Sequence, residues 1–202
     1  WLVRVGVLAL QGGVREHCLL LAGMGAEPVR VRRPDDLIGP DGPRVDALVL
    51  PGGESSVIDR LIRSVGLHEP LRRTIGDGLP TLATCAGLIL LARNVLDGAP
   101  GQQSLEVLDV GVRRNAFGNQ LASAEVRLET AWGPAAVAFI RAPAIERVGA
   151  EVQVLAVHDA RVVAVASGAM IGLACHPELT GEQLFHRRLL ALADPTGRLL
   201  SA

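Results

Sequence analysis

The sequence predicts an α/β fold, a three-layer sandwich with a mostly parallel central sheet, helices on both faces, and added antiparallel strands in the second half. Two observations indicate this fold. In the first half, continuously apolar segments are each followed by a turn and by a segment with helical spacing, which is typical of buried parallel strands. In the second half, short apolar segments are separated by turns such as Ser167-Gly168, which favour hairpins.

The first half alternates strands with helices. We predict strands at Leu2–Leu10, Glu27–Val31 and Val45–Leu50, and helices at Val14–Met24, from about Val57 to Ser64, and at His68–Ile75. The segment Arg32–Arg44, rich in Pro, Asp and Gly, is expected to be a loop. Because the carboxyl ends of parallel strands meet at one edge of a sheet, we expect Gln11, Gly52-Gly53 and Cys85 to lie close together.

The second half is predicted to be mainly strands. These are Leu105–Val112, Leu121–Leu128, Ala135–Ile140, Val152–Val157, Arg161–Ala166 and Ala169–Ala174. We expect a surface loop at Gly98–Ser104, a closing amphipathic helix at Gly181–Ala193 and a loose tail at Asp194–Ala202. No linker or internal repeat divides the sequence, so residues 1–193 are predicted to form one domain.

Composition and charge exclude several classes of protein. The 202 residues are 49% hydrophobic and 20% charged with a net charge of -1, which is typical of a globular chain and gives no case for nucleic acid or an acidic membrane as partner. The apolar segments are shorter than a membrane span, and the first residues lack the pattern of a signal peptide. Three cysteines, an odd number, favour the reducing cytoplasm over a disulfide framework.

The basic residues limit the possible chemistry further. All 20 of them are arginine, which excludes a Schiff-base lysine, a lysine-bound pyridoxal phosphate and a P-loop lysine. The five histidines are scattered along the sequence without the spacing of metal ligands. We therefore predict neither a metal site nor a cofactor.

The strongest candidate for a nucleophile is Cys85. A short apolar segment meets a run of good helix formers at this residue, and the small residues Ala83, Ala86 and Gly87 surround it. This is the layout of a nucleophile elbow, a sharp turn between strand and helix. The free N–H groups and the helix dipole favour a thiolate there. The alternative is a buried structural cysteine, which is how we interpret Cys18 and Cys175.

Two further motifs lie at predicted strand ends. A thiol nucleophile needs a base, and the base needs an anion to orient it; His176 and Glu178 could be this pair, or His176 could be a surface histidine in a turn. The backbone N–H of Gly53 could hold a developing oxyanion together with that of Ala86. A plain turn would also use two glycines, with Glu54 or Ser55 as a helix N-cap.

Six motifs occur in order along the chain. They are Leu8-Ala9-Leu10-Gln11-Gly12, Leu50-Pro51-Gly52-Gly53-Glu54-Ser55-Ser56, Thr84-Cys85-Ala86-Gly87-Leu88-Ile89, Arg114-Asn115-Ala116-Phe117-Gly118, Phe139-Ile140-Arg141-Ala142-Pro143 and His176-Pro177-Glu178-Leu179-Thr180. Together they resemble the glutaminase subunit of the two-protein pyridoxal 5′-phosphate synthase, a class I, triad-type glutamine amidotransferase. The resemblance extends from about Val5 to Leu192.

The resemblance implies a function and a set of site residues. L-Glutamine would be hydrolysed through a glutamyl thioester to glutamate and ammonia, and the synthase partner would use the ammonia, in a hetero-oligomer, to make pyridoxal 5′-phosphate. The triad would be Cys85, His176 and Glu178. The glutamine contacts would be Gly53, Glu54, Ser55, Arg114, Ile140 and Arg141, and Gln11 would lie near the partner. The resemblance also implies that the subunit alone is nearly inactive.

The two arginines suit this substrate independently of the resemblance. The carboxylate of a zwitterionic amino acid needs a fixed cation, which Arg114 or Arg141 could supply. The alternative for both residues is a solvated surface charge.

The chain departs from the usual pattern of this family at four positions. Ala83 stands where Gly is usual, Asn119 replaces Arg, Ala124 replaces Phe, and Cys175 replaces an aromatic residue. The first change leaves the elbow less freedom, and the last could loosen His176. Two other functions stay open, namely another cysteine hydrolase or redox protein of the same architecture, and a catalytically silent binding subunit.

Overall fold

A computed structural model gives the structure of residues 2–114, 116 and 124–194. In this part of the chain, the strands are β1 (Arg4–Leu8), β2 (Glu27–Val31), β3 (Ile38–Gly39), β4 (Gly42–Pro43), β5 (Ala47–Leu50), β6 (Thr81–Thr84), β7 (Ala92–Val95), β8 (Leu108–Arg113), β9 (Ala124–Thr130), β10 (Gly133–Phe139), β11 (Ala144–Val148), β12 (Gln153–His158), β13 (Arg161–Ser167) and β14 (Met170–Leu173). The helices are α1 (Val14–Gly23), α2 (Pro34–Leu37), α3 (Ser55–Ser64), α4 (His68–Gly76), α5 (Ala86–Leu91) and α6 (Leu184–Ala193), and a 3₁₀ turn spans Pro177–Leu179.

The central sheet confirms the predicted fold class. Its order is β2-β1-β5-β6-β14-β13-β11-β8-β7, with β12 paired to β13. From β2 to β14 all neighbours are parallel. Strands β13, β12, β11 and β8 add antiparallel pairs, and β7 runs parallel to β8. The hairpins β9–β10 and β3–β4 each form a separate two-stranded sheet.

Burial on both faces explains the continuously apolar strands at the centre of the sheet. Every residue of β5 and β6 is buried. Helices α1 and α6 meet through their buried histidines, whereas α3 packs against α4 and α5. These helices complete the three-layer sandwich, and they explain why the parallel strands lack the polar alternation of a half-exposed sheet. No helix among the described residues is both long and apolar enough to span a membrane.

Several predicted boundaries were wrong. The segment 32–44, predicted to be a loop, contains α2 and the hairpin β3–β4, and strands β7 and β11 were not predicted at all. Strand β7 directly follows α5, and the exposed Arg93 and Asn94 interrupt its apolar pattern. The last helix begins at Leu184 rather than at Gly181, because Gly181 has a φ of +74°, which an α-helix does not accept.

Two other predictions fall partly outside the described residues. The strand predicted at Leu121–Leu128 is described only from residue 124 on, and of the predicted tail only Asp194 is described. The remaining predicted elements are present, with ends that differ by a few residues.

The close packing of α5 against β5 leads to a first prediction. A Cβ atom at Gly87 would lie 2.0 Å from the carbonyl oxygen of Leu50, so Gly87→Ala must push the helix away from the strand. We expect the free energy of unfolding, measured with urea, to fall by about 1–3 kcal/mol or more.

The matched control is Gly76→Ala, at the end of α4. A Cβ atom there meets no heavy atom within 4 Å, and alanine is the better helix former by about 1 kcal/mol. The control variant should therefore be as stable as the wild type or slightly more stable. Equal unfolding free energies for the two variants would contradict the close approach at Gly87.

Candidate active site

A cavity of about 260 Å³ opens where the carboxyl ends of the central parallel strands meet their loops. Its lining residues are Gln11, Gly53, Glu54, Ser55, Cys85, Ile89, Arg114, Ile140, Arg141 and His176. The expectation that Gln11, the turn Gly52-Gly53 (the glycine turn) and Cys85 lie together is confirmed. Of the sequence-predicted site residues, Ala86 and Glu178 do not line the cavity. Ala86 is buried next to Cys85, and Glu178 is buried behind His176.

Cys85 lies between β6 and α5, at the predicted turn from strand to helix. Its backbone has φ +48° and ψ −103°, a strained conformation for a residue with a side chain. The N–H of Cys85 donates to the carbonyl of Leu173 at 2.8 Å, which anchors the elbow to β14. The departure at Ala83 leaves this arrangement intact, because Ala83 is buried in β6 and pairs regularly with Gly172.

His176 is held from two directions. Its backbone forms two hydrogen bonds with Ala138, at 2.8 and 3.3 Å, which fix it beside β10 despite the unusual Cys175 before it. Its Nδ1 lies 2.7 Å from Oε1 of Glu178, whose side chain is only 1% exposed. Burial alone would lower the pKa of His176, but the hydrogen bonds and charges of Cys85 and Glu178 outweigh it and raise the pKa to about 10.

Cys85 and His176 both line the cavity and both lie next to Gly52, whereas Glu178 bonds to Nδ1 of the His176 ring. Cys175, unlike Cys85, does not line the cavity. It is fully buried, and burial raises the pKa of its thiol. Cys175 and the half-buried Cys18 pack with the core, as predicted.

The glycine turn is constrained by its neighbours. A Cβ atom at Gly52 would lie 2.3 Å from Cε1 of His176, and one at Gly53 would lie 2.3 Å from Oε1 of Gln11. The turn is also hydrogen-bonded on both sides. The N–H of Gly52 donates to Oγ1 of Thr84 at 3.1 Å, and the carbonyl of Gly52 accepts from the N–H of Gly13 at 3.0 Å.

Gln11 contacts the same turn. Its Oε1 accepts a hydrogen bond from the N–H of Glu54 at 2.9 Å. The residue predicted to lie near the partner is therefore in direct contact with the turn beside Cys85.

Glu54 is both a helix cap and part of the cavity wall. Its carboxylate accepts from the N–H groups of Ser56 and Val57 at the start of α3, and it pairs with Arg114 at 3.0 Å. Burial would raise the pKa of Glu54, but hydrogen bonds from the hydroxyl of Ser56 and from these two N–H groups, together with the charge of Arg114, lower it overall. The side chain of Arg114 is only 17% exposed, so it is not a solvated surface charge.

Gln102 does not line the cavity but bonds to two residues that do, and sequence reasoning missed it. Its Oε1 accepts from Arg114 at 3.0 Å, and its Nε2 donates to Oγ of Ser55 at 3.0 Å. It lies in the predicted surface loop 98–104, where no pattern distinguished it. Ile89, one turn after Cys85 on α5, was also missed, although it belongs to a motif that carried the resemblance.

Ile140 and Arg141 complete the cavity wall after β10. Arg141 is exposed and has a φ of +43°, a second strained position at this cavity. Residues 115 and 117–123, which include Asn119, lie outside the described residues. The backbone of Ala124 pairs with Phe139 in the β9–β10 hairpin.

The chain is similar to known glutamine amidotransferases. The model of the SNO glutamine amidotransferase family matches residues 7–190. The pyridoxal 5′-phosphate synthase subunit PdxT of Leifsonia xyli subsp. xyli is 54% identical over 191 residues, which cover 93% of this chain and 94% of the relative. The PdxT subunit of Clavibacter sepedonicus is 51% identical over 200 residues, which cover 97% of this chain and 93% of the relative. A crystal structure of a glutamine amidotransferase superposes with a TM-score of 0.85 at 42% identity, covering 94% of this chain and 98% of that one.

Proposed function

Because the chain belongs to the SNO glutamine amidotransferase family, its activity is that of a glutaminase, and we propose that Cys85, His176 and Glu178 carry out the hydrolysis. We further propose that the ammonia passes to a synthase subunit that makes pyridoxal 5′-phosphate, in a hetero-oligomer in the cytoplasm. The placement of Cys85, at its strained elbow, and of His176, bonded to the buried Glu178, on the wall of one cavity carries this proposal.

The reaction begins with attack of the Cys85 thiolate on the side-chain amide carbon of L-glutamine. His176 then gives its proton to the leaving nitrogen, and ammonia departs as the carbon–nitrogen bond breaks. The product is a glutamyl thioester. A water molecule attacks the thioester carbonyl while His176 takes its proton, and the carbon–sulfur bond breaks to give glutamate and the Cys85 thiolate.

The oxyanion of each tetrahedral intermediate would accept hydrogen bonds from the N–H groups of Gly53 and Ala86. Ala86 is the first residue of α5, where backbone N–H groups have no partner within the helix. Glu54 follows Gly53 in the turn, and its N–H already donates to Gln11. One such hydrogen bond is worth a factor of about 10²–10³ in rate in other hydrolases.

The family resemblance implies that the partner activates the subunit, and the glycine turn offers a route for this. The bond from Gly13 to the carbonyl of Gly52 fixes the direction of the peptide between Gly52 and Gly53. A flip of this peptide would break that bond and turn the N–H of Gly53 around. We propose that contact of the partner with Gln11, which touches the same turn, controls this flip.

Glu54 and Arg114 would hold the two charges of the glutamine backbone. The guanidinium of Arg114 suits the α-carboxylate, and the carboxylate of Glu54 suits the α-ammonium group. We expect Arg114→Gln to raise the KM for glutamine by about 10- to 100-fold, because a charge-assisted hydrogen bond contributes about 1.5–3 kcal/mol.

Arg113→Gln is the matched control for Arg114→Gln. Arg113 is the preceding residue, but it pairs with Glu146 and lies outside the cavity lining. Its replacement should leave the KM within about twofold of the wild type. An unchanged KM in Arg114→Gln, measured with the partner present, would remove Arg114 from the substrate site.

Ammonia release from L-glutamine, measured with and without the purified synthase subunit, tests the proposal. We expect release to depend on the synthase. Release of ammonia that is independent of any partner would overturn the regulatory part only. A peptidase or redox protein would release none, and a silent binding subunit would also fail to react with an electrophilic glutamine analogue at Cys85.

A further inference from the structure

Two buried histidines that the proposed mechanism does not use lie behind the triad. His17 on α1 and His186 on α6 are both 0% exposed, and Nδ1 of His17 lies 2.9 Å from Nε2 of His186. Burial lowers the pKa of both rings, that of His186 to about 4. Both rings are therefore neutral near pH 7, and they share a single hydrogen bond.

The other ring nitrogen of His17 faces the active site. Its Nε2 lies 3.2 Å from Oγ1 of Thr84 and 3.6 Å from Oε2 of Glu178. This carboxylate oxygen is buried and has no hydrogen-bond partner among the described residues, whereas the other oxygen is bonded to His176. Thr84 in turn accepts from the N–H of Gly52. His17 thus faces both the anion of the triad and the residue that fixes the glycine turn.

The proton positions follow from which groups would otherwise be left without a partner. A proton on Nε2 of His17 points an N–H at Thr84 and the Glu178 carboxylate, and His186 then donates its own Nε2–H to Nδ1 of His17. The opposite tautomer would place a lone pair of His17 against the carboxylate and leave an N–H of His186 buried without an acceptor. Buried N–H groups without a partner are rarer than acceptors without one, so the first arrangement is favoured.

We propose that His17, kept in its Nε2–H tautomer by His186, is a positioning residue. It orients the Glu178 carboxylate and, through Thr84, the glycine turn. This inference rests on the proposed function, because it assigns His17 a role in the work of the proposed triad. His17 does not line the cavity and so does not contact glutamine. Its loss should lower kcat and leave the KM unchanged.

The kinetic test compares His17→Phe with His17→Gln in the complex with the synthase subunit. Phenylalanine keeps a ring but removes both nitrogens, whereas the glutamine amide keeps an N–H donor. We expect His17→Phe to lower kcat about 10- to 100-fold, as loss of outer-shell partners does at other sites, with the KM within twofold. His17→Gln should recover most of the lost kcat. A wild-type kcat in His17→Phe would overturn the inference, as would a parallel change in KM.

The tautomer of His17 can be measured by NMR spectroscopy on the wild-type chain, so this test does not depend on the folding of a variant. In ¹⁵N-histidine-labelled protein, the nitrogen shifts of His17 should show a proton on Nε2 and none on Nδ1. The reverse pattern would overturn the inference. In His17→Phe, the low-field proton resonance of His176 Nδ1–H should move, because the Glu178 carboxylate has lost the ring nitrogen that lies 3.6 Å from its Oε2. An unmoved resonance would contradict the positioning role.

These outcomes are separable from a failure of the proposed function. A wild-type complex without glutaminase activity, or a fully active Cys85→Ala, would refute the proposed mechanism. An active wild type whose His17→Phe variant is equally active would refute only the role of His17.

Discussion

Cys85→Ala is expected to abolish ammonia release from L-glutamine in the presence of the synthase subunit, with a loss of about 10⁴-fold or more. Without the sulfur no thioester forms, and the remaining groups cannot replace a nucleophile. The variant should keep its fold, because the elbow is anchored through the backbone N–H of Cys85. Ammonia is measured in a coupled assay, and the free energy of unfolding by urea denaturation.

Cys18→Ala is the matched control for this prediction. Cys18 lies on α1 and does not line the cavity, so its replacement should leave ammonia release close to that of the wild type. Full activity in Cys85→Ala would contradict the mechanism. A similar loss in both variants would indicate that damage to the structure, rather than loss of the nucleophile, is responsible.

His176→Asn is expected to lower ammonia release about as strongly as the loss of Cys85, because the members of such a triad act as a unit. Asparagine keeps the backbone bonds to Ala138 but can neither donate the proton to the leaving nitrogen nor stabilise the thiolate. His68→Asn is the control, since His68 bonds to the carbonyl of Ser104 outside the cavity lining.

Adding Glu178→Gln to His176→Asn should cause little further loss. Glu178 contacts His176, and in the proposed mechanism it acts only through that ring, so its own replacement should matter only while the imidazole is present. The rates of the two single variants and the double variant give the coupling directly. Multiplicative losses in the double variant would show that Glu178 does not act through His176.

The sequence was sufficient to predict the main strands and helices of the parallel half and the meeting of Cys85 with the glycine turn. Strands such as β5 are apolar throughout because both faces are covered, and that pattern is visible in the sequence. Cys85 and the glycine turn come together because neighbouring parallel strands end at the same edge. In this half, the apolar pattern of each strand and the position of the strand in the sheet have the same cause, so the prediction from the pattern was accurate.

Contacts between distant segments could not be predicted in the same way. His17 and His186 are 169 positions apart and were judged from their spacing along the sequence, which says nothing about their 2.9 Å contact. Gln102 lies in an irregular loop, and only the folded chain brings it to Arg114. The sequence also left open whether Arg114 was a surface charge, and its low exposure decided that question.

The role of Cys85 as the nucleophile can be measured by reacting the complex with an electrophilic glutamine analogue and analysing its peptides by mass spectrometry. We expect a single label on the peptide that carries Cys85, protection of this residue by L-glutamine, and loss of ammonia release in proportion to labelling. A label on Cys18 or Cys175 that tracks the loss of activity, or an unlabelled Cys85 in a fully inhibited complex, would refute this role.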